Sequence, residues 1–251
     1  MTLRLTNLPY DTDTGLGHRA RLGLVVLATD YTVEHEYRTI LADLDGVALY
    51  GARIPMAPVV TPESLGAMEA DIPRTVSLIL PDDRLDVVAY GCSSATAILG
   101  EDRVTELVRR IKPEAAVTTP ITAAKAALRT LGARKIGILT PYTADVNVTL
   151  QAAFEEAGFE IEIFGSFDEP RDQVVASITE SAIRTNVNVM AEAAQIDAMF
   201  ISCTSLRSLK VVVELERDLG IPVTASNHAM IWHSLRLAGI GDQINGKGLL
   251  F

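Results

Sequence analysis

The sequence predicts an α/β fold of two four-stranded parallel-sheet lobes related by a pseudo-twofold axis, and three observations predict it. Short runs rich in Val, Ile and Leu alternate with longer amphipathic stretches along all 251 residues. The run "RLGLVVLATDYT" resembles "KIGILTPYT", which sets Thr29, Tyr31 and Thr32 opposite Thr140, Tyr142 and Thr143 at a separation of 111 residues. At that same separation "DVVAYGCSS" resembles "DAMFISCTS", with Cys92 opposite Cys203, Ser93 opposite Thr204 and Ser94 opposite Ser205. One offset shared by two separate motifs marks an internal duplication.

In chain order, the run at 21–28 predicts the first strand, closed by the polar Thr29, Asp30 and Thr32, and an amphipathic helix follows at 34–44. The second strand, 47–54, ends at Arg53 before the proline-containing "IPMAPVVTP", and 62–80 predicts one long helix. The third strand, 86–90, runs into Cys92 and the small hydroxyl residues that suit a helix N-terminus, with a helix at 103–111. The fourth, 115–118, ends at Thr118 and Thr119 before a helix at 123–131.

The second half repeats the order: strands at 135–139, 160–164, 197–202 and 221–224, with helices at 145–157, 172–195, 206–219 and 229–238. Thr140, Tyr142 and Thr143 follow the fifth strand, Thr204 and Ser205 the seventh, and Ser226 and Asn227 the eighth. Duplicated folds of this kind exchange the last helix back to the first lobe. Lobe one is therefore expected at residues 1–120 plus 226–251, and lobe two at 121–225.

With 48% hydrophobic and 22% charged residues, the chain can bury a substantial core. A net charge of -10 with no basic run excludes nucleic acid and anionic membrane surfaces as partners. The polar N-terminus and apolar stretches no longer than "LGLVVLA" predict a cytoplasmic chain, whose two cysteines stay reduced. His18, His35, His228 and His233 lack zinc spacing, so no metal is expected.

In parallel sheets, ligands bind beyond the carboxyl ends of the strands, and both cysteines fall there. A helix N-terminus at that point would lower a thiol's pKa. Two thiols facing one cleft can take a proton from one face of a carbon and return one to the other, or add to a double bond and protonate it, with no cofactor. The competing reading makes both cysteines small buried packing residues. Hydroxyls and amides at the strand ends offer hydrogen bonds to a small acid, Tyr142 foremost, although each also suits a turn or cap. Arg53 is placed to pair with a carboxylate or to stud a loop. Arg207 falls one turn after Cys203, and His233 is read as packing.

The stretches "AYGCSSATA", "SCTSLRSL" and "PVTASNHAMIWHSLRLAG", with the loops "ATDYTVE" and "LTPYTADVN", resemble the maleate isomerase branch of the aspartate/glutamate racemase superfamily, the EutA ectoine-utilisation proteins in particular. The resemblance implies two α/β lobes, no cofactor, a small carboxylic acid in the interlobe cleft, and a homodimer. It makes Cys92 the nucleophile or first base and Cys203 the proton donor on the opposite face, with Tyr142 holding a carboxylate. Thr29, Ser93, Ser94, Thr119, Thr204 and Ser205 would line the substrate.

Asp30 stands where that branch has asparagine, which favours an amino-bearing or singly charged substrate over maleate. Arg171, followed by Asp172 and Gln173, stands where a substrate-holding amide is expected. The implied function is a cofactor-independent racemase or cis-trans isomerase, with an ectoine-catabolic intermediate as one substrate. Two alternatives stay open: an arylmalonate-type decarboxylase, whose relatives use a single cysteine, and a protein that binds or senses a small acid without changing it.

Overall fold

Eight strands form among the described residues where apolar runs are short and rich in β-branched side chains. They are β1 (Ala20–Leu27), β2 (Val47–Ile54), β3 (Val87–Gly91), β4 (Ala116–Thr118), β5 (Lys135–Thr140), β6 (Glu160–Ser166), β7 (Ala198–Ile201) and β8 (Val223–Ala225). The structure, a computed structural model, describes residues 2–57 and 59–251. It arranges the strands in two sheets, ordered β2-β1-β3-β4 and β6-β5-β7-β8, with parallel pairing throughout. The identical order of the two sheets is what the internal repeat predicts. Every residue of β3 and β7 is buried, because helices cover both faces, whereas the edge strand β2 is half exposed.

The helices are α1 (Val33–Leu41), α2 (Pro62–Ala67), α3 (Ile72–Ser77), α4 (Ser93–Leu99), α5 (Glu101–Arg109), α6 (Pro120–Thr130), α7 (Ala144–Glu156), α8 (Asp172–Val175), α9 (Glu180–Ala193), α10 (Leu209–Leu219) and α11 (Ser226–Leu237). Helix α6 follows β4 but packs on β8 of the other sheet. Helix α11 follows β8 and packs on β3 and β4, lying along α6. Among the described residues, no helix is long and apolar enough to cross a membrane.

Three helices differ from expectation for local reasons. The stretch 62–80 breaks into α2, a 3-10 turn at Met68–Asp71, and α3, because Pro73 has no N–H to carry one continuous ladder. The stretch 172–195 splits into α8 and α9, where the Thr179 side chain accepts from the Ala182 N–H and starts the second helix afresh. Ahead of the helix expected at 103–111, the chain forms α4 directly after Cys92, and Gly100, at φ 87°, divides it from α5.

Close backbone approach explains the glycine before the first thiol. A Cβ at Gly91 would lie 2.8 Å from the Val25 carbonyl oxygen on the neighbouring strand, a contact that only backbone movement can relieve. Gly91→Ala is expected to destabilise the fold by about 1–3 kcal/mol. A drop of several degrees in thermal midpoint checks this, and an unchanged midpoint refutes the packing reading.

Candidate active site

Cys92 is the N-cap of α4. Its backbone is extended, its Sγ accepts the Ala95 N–H at 3.3 Å, and Ser94 Oγ lies 3.6 Å from the sulfur. Cys203 follows β7 by two residues, and its surroundings differ from those expected. The next helix starts only at Leu209, so this thiol sits in a turn rather than at a helix N-terminus. Its φ of 147° lies in a region that favours glycine, a strain of about 1–3 kcal/mol that surrounding contacts must hold in place. One such contact is the bond from the Cys203 N–H to Ser226 Oγ at 3.0 Å.

The strand ends of the two lobes meet through these side chains. Ser226 Oγ also lies 3.0 Å from Ser93 Oγ, next in sequence to Cys92, and Thr204 Oγ1 donates to the Gly91 carbonyl at 3.3 Å. The buried Tyr142 phenol faces Cys203 and Ser93 and feels the charge of both thiols. Burial and those two neighbours hold its pKa well above the usual range. The Tyr142 carbonyl accepts from Asn147 Nδ2 at 2.7 Å, which fixes its loop. Its counterpart in the repeat, Tyr31, points to solvent, so the duplication is broken at this position.

Both thiols are free and buried, and burial decides their ionisation. It pushes Cys92 up to about 11 against the bonds from Ser94 and Ala95, and nearby Asp172 and Asp30 add to the rise. Burial pushes Cys203 up further, followed by the charge of Asp172. The expected lowering at a helix N-terminus is therefore corrected, because removal from water outweighs the field of a seven-residue helix. Alkylation by iodoacetamide should be slow at neutral pH and rise about tenfold per unit from pH 7 to 9. A rate that levels off below pH 8 would contradict this ordering.

Two carboxylates accompany the thiols. Asp172 is buried, and its oxygens accept from Thr29 Oγ1 at 2.5 Å and from Ser205 Oγ at 2.6 Å. Antiparallel pairing of Val59 with Arg171, and the bond from Val60 N–H to the Pro170 carbonyl at 3.3 Å, hold the loops after β2 and β6 together beside it. Asp30 accepts from the Thr32 and Val33 N–H groups at 2.6 and 2.9 Å through Oδ1. Burial raises its pKa against those two bonds.

The structure thus brings together Thr29, Asp30, Cys92, Ser93, Ser94, Tyr142, Cys203, Thr204 and Ser205. Arg171 is corrected: it is exposed and paired with Glu169, and its neighbour Asp172 enters the cluster instead. Thr119 is buried and caps α6 by accepting from the Thr122 N–H. Arg53 is engaged with Glu34 and with the carbonyls of Leu27 and Asp30, and Arg207 donates to the Ile178 carbonyl. His233 bonds Thr118 and stacks on Trp232.

Sequence reasoning passed over Glu36, a buried carboxylate that accepts from the N–H groups of Ser208 and Leu209 and from Asn227 Nδ2. Its signal was present, since Val33, Tyr37 and Ile40 are the buried stripe of α1 and Glu36 falls within it.

The chain is similar to known proteins in sequence and in fold. The profile of the arylmalonate decarboxylase family matches residues 77–251. A maleate isomerase from Nocardia farcinica is 31% identical over 92% of this chain and 94% of its own length. An arylmalonate decarboxylase from Bordetella bronchiseptica is 34% identical over 53% of this chain and 57% of its own. A cysteine-to-serine variant of the Nocardia farcinica maleate cis-trans isomerase, solved with a covalently bound succinylcysteine intermediate, superposes with a TM-score of 0.82 at 27% identity. That match covers 92% of this chain and 97% of the other.

Proposed function

The chain belongs to the family of arylmalonate decarboxylases and maleate isomerases, and from that premise we propose that it is a cofactor-independent isomerase of a small carboxylic acid, with Cys92 and Cys203 as the reacting pair. The carrying observation is that two free thiols end the equivalent strands β3 and β7, with the Tyr142 phenol set against Cys203 and against Ser93, the residue after Cys92. Cys92 acts as thiolate and Cys203 as the acid on the far side. Tyr142 and Ser93 offer hydroxyls to the substrate carboxylate.

Two routes use this pair. In addition to a double bond, the Cys92 sulfur forms a C–S bond while the π pair moves to the neighbouring carbon, which takes the Cys203 proton. After rotation about the new single bond, the Cys203 thiolate removes that proton, the C=C bond re-forms and sulfur leaves. In racemisation, Cys92 takes the α-proton and Cys203 supplies one to the opposite face. The covalent succinylcysteine of the Nocardia enzyme supports the first route.

Burial leaves both thiols protonated at rest; Cys92 loses its proton to solvent as the acid enters and displaces water, while Cys203, pushed up further, keeps the proton it donates. Decarboxylation, the other activity named in the family, requires a single proton delivery and leaves one thiol idle. Incubation in heavy water with a panel of small acids, followed by proton NMR, tests the proposal. Isomerised or α-deuterated acid without loss of carbon dioxide is expected, and carbon dioxide release alone replaces the isomerase with a decarboxylase.

A further inference from the structure

Charge and hydrogen bonding around the thiols restrict what kind of acid fits. Asp30 is 2% exposed, and its Oδ2 is buried with no hydrogen-bond partner. That oxygen belongs to the cluster: the Thr204 hydroxyl lies beside Asp30 and favours its ionised form, though its bond of regular geometry runs to the Gly91 carbonyl at 3.3 Å, and Asp30 feels the charge of Asp172. A second buried acceptor without a partner is Asn227 Oδ1, whose amide nitrogen donates to the Thr204 carbonyl.

No cation pairs with either carboxylate among the described residues: Arg53 pairs with Glu34 and reaches Asp30 only at its backbone carbonyl, at 3.0 Å, Arg171 pairs with Glu169, and Arg207 donates to a backbone carbonyl. Among the described residues, neither Asp30 nor Asp172 is ion-paired. Buried, unpaired anionic oxygen is costly unless a donor or a positive charge meets it. A dianionic acid placed here would bring two further negative charges and no donor.

We propose that Asp30, supported by Asp172, forms a subsite for a cationic nitrogen, so that the substrate is a small carboxylic acid carrying an ammonium group rather than a dianion such as maleate. This rests on the two-thiol reading of the same site. The ammonium supplies the hydrogen that Asp30 Oδ2 lacks and offsets the paired carboxylates, while the Tyr142 and Ser93 hydroxyls serve the carboxylate end.

Matched acids differing only at nitrogen test it: aspartate against malate, glutamate against 2-hydroxyglutarate and 2-aminobutyrate against 2-hydroxybutyrate, with maleate alongside. Binding is read by calorimetry and turnover by NMR in heavy water. At least one amino acid is expected to bind about tenfold or more tightly than its hydroxy partner and than maleate. Asp30→Asn retains an acceptor for the Thr32 and Val33 N–H groups, and it should erase that preference; Asp172→Asn serves as the second variant.

Hydroxy acids or maleate bound as tightly as every amino acid, or a preference untouched in both variants, overturns the subsite. The two readings fail separately. Turnover confined to dianions and lost in Cys92→Ser sinks the ammonium subsite and leaves the thiol chemistry. Amino acids bound with preference but never exchanged or isomerised sink the thiol chemistry and leave the subsite.

Discussion

Cys92→Ser is expected to lower turnover of the substrate about a thousandfold or more, and Cys203→Ser by a comparable factor, because each thiol is needed for a step the other cannot perform. The double variant should be little worse than either single one, since removing one member already stops the exchange between the two faces. Serine is close in volume to cysteine, and hydroxyls neighbour both sites: Ser94 at Cys92, and Tyr142 at Cys203. Thermal midpoints should therefore move by only a few degrees. The two variants differ in one informative respect. If the acid reacts by addition, Cys203→Ser leaves Cys92 able to form the C–S bond, with the neighbouring carbon protonated slowly by water in place of Cys203, and removes the thiolate that takes that proton back, so an adduct of substrate mass persists on Cys92. Intact-protein mass spectrometry reads it, and full activity in either single variant would end the two-thiol mechanism.

Glu36 carries the largest expected effect on stability. It projects from α1 and accepts from the N–H groups of Ser208 and Leu209 at the start of α10, and from Asn227 Nδ2 at the start of α11, at 2.7, 3.1 and 2.7 Å. Glu36→Ala strands these donors in the interior and is expected to cost about 3 kcal/mol or more, measured by denaturant unfolding. An effect below about 1 kcal/mol would show that the donors find other partners.

Burial also moves the Glu36 pKa from 4.5 up to about 7, against the bonds from Leu209, Asn227 and Ser208. The folded protein therefore holds this proton more tightly than the unfolded chain. Its contribution to stability is fully present below about pH 4.5 and is lost as pH rises through 7, a change on the order of 3 kcal/mol. Glu36→Gln removes the titration. The difference in stability between parent and variant should consequently shift in the variant's favour from pH 5 to pH 8, and a difference independent of pH would contradict the raised value.

The parts of the site that were legible in the sequence are those with a local signature. Cys92 and Cys203 stand after apolar runs at equivalent places in a repeat, and strand ends are where a parallel sheet presents its loops. The same logic singled out Thr29 and Asp30, which lie after β1 beside Asp172 and the thiols. Arg171 was not distinguished from Asp172, because the register of an irregular loop after β6 depends on its pairing with the loop after β2, more than a hundred residues earlier. Tyr31 and Tyr142 look equivalent in the repeat, yet only Tyr142 is buried, set against Cys203 and against Ser93 from the other half of the chain, contacts that no local window contains.

By itself the sequence determined the two sheets, their common strand order and the placement of one thiol at the end of each central strand, because apolar periodicity and repetition are properties of short segments. Only the tertiary structure decided the ionisation of those thiols, the turn that holds Cys203, the inward Asp172 and the Glu36 anchor. Desolvation and charge are set by neighbours drawn from both halves of the chain, and no local window of residues contains them.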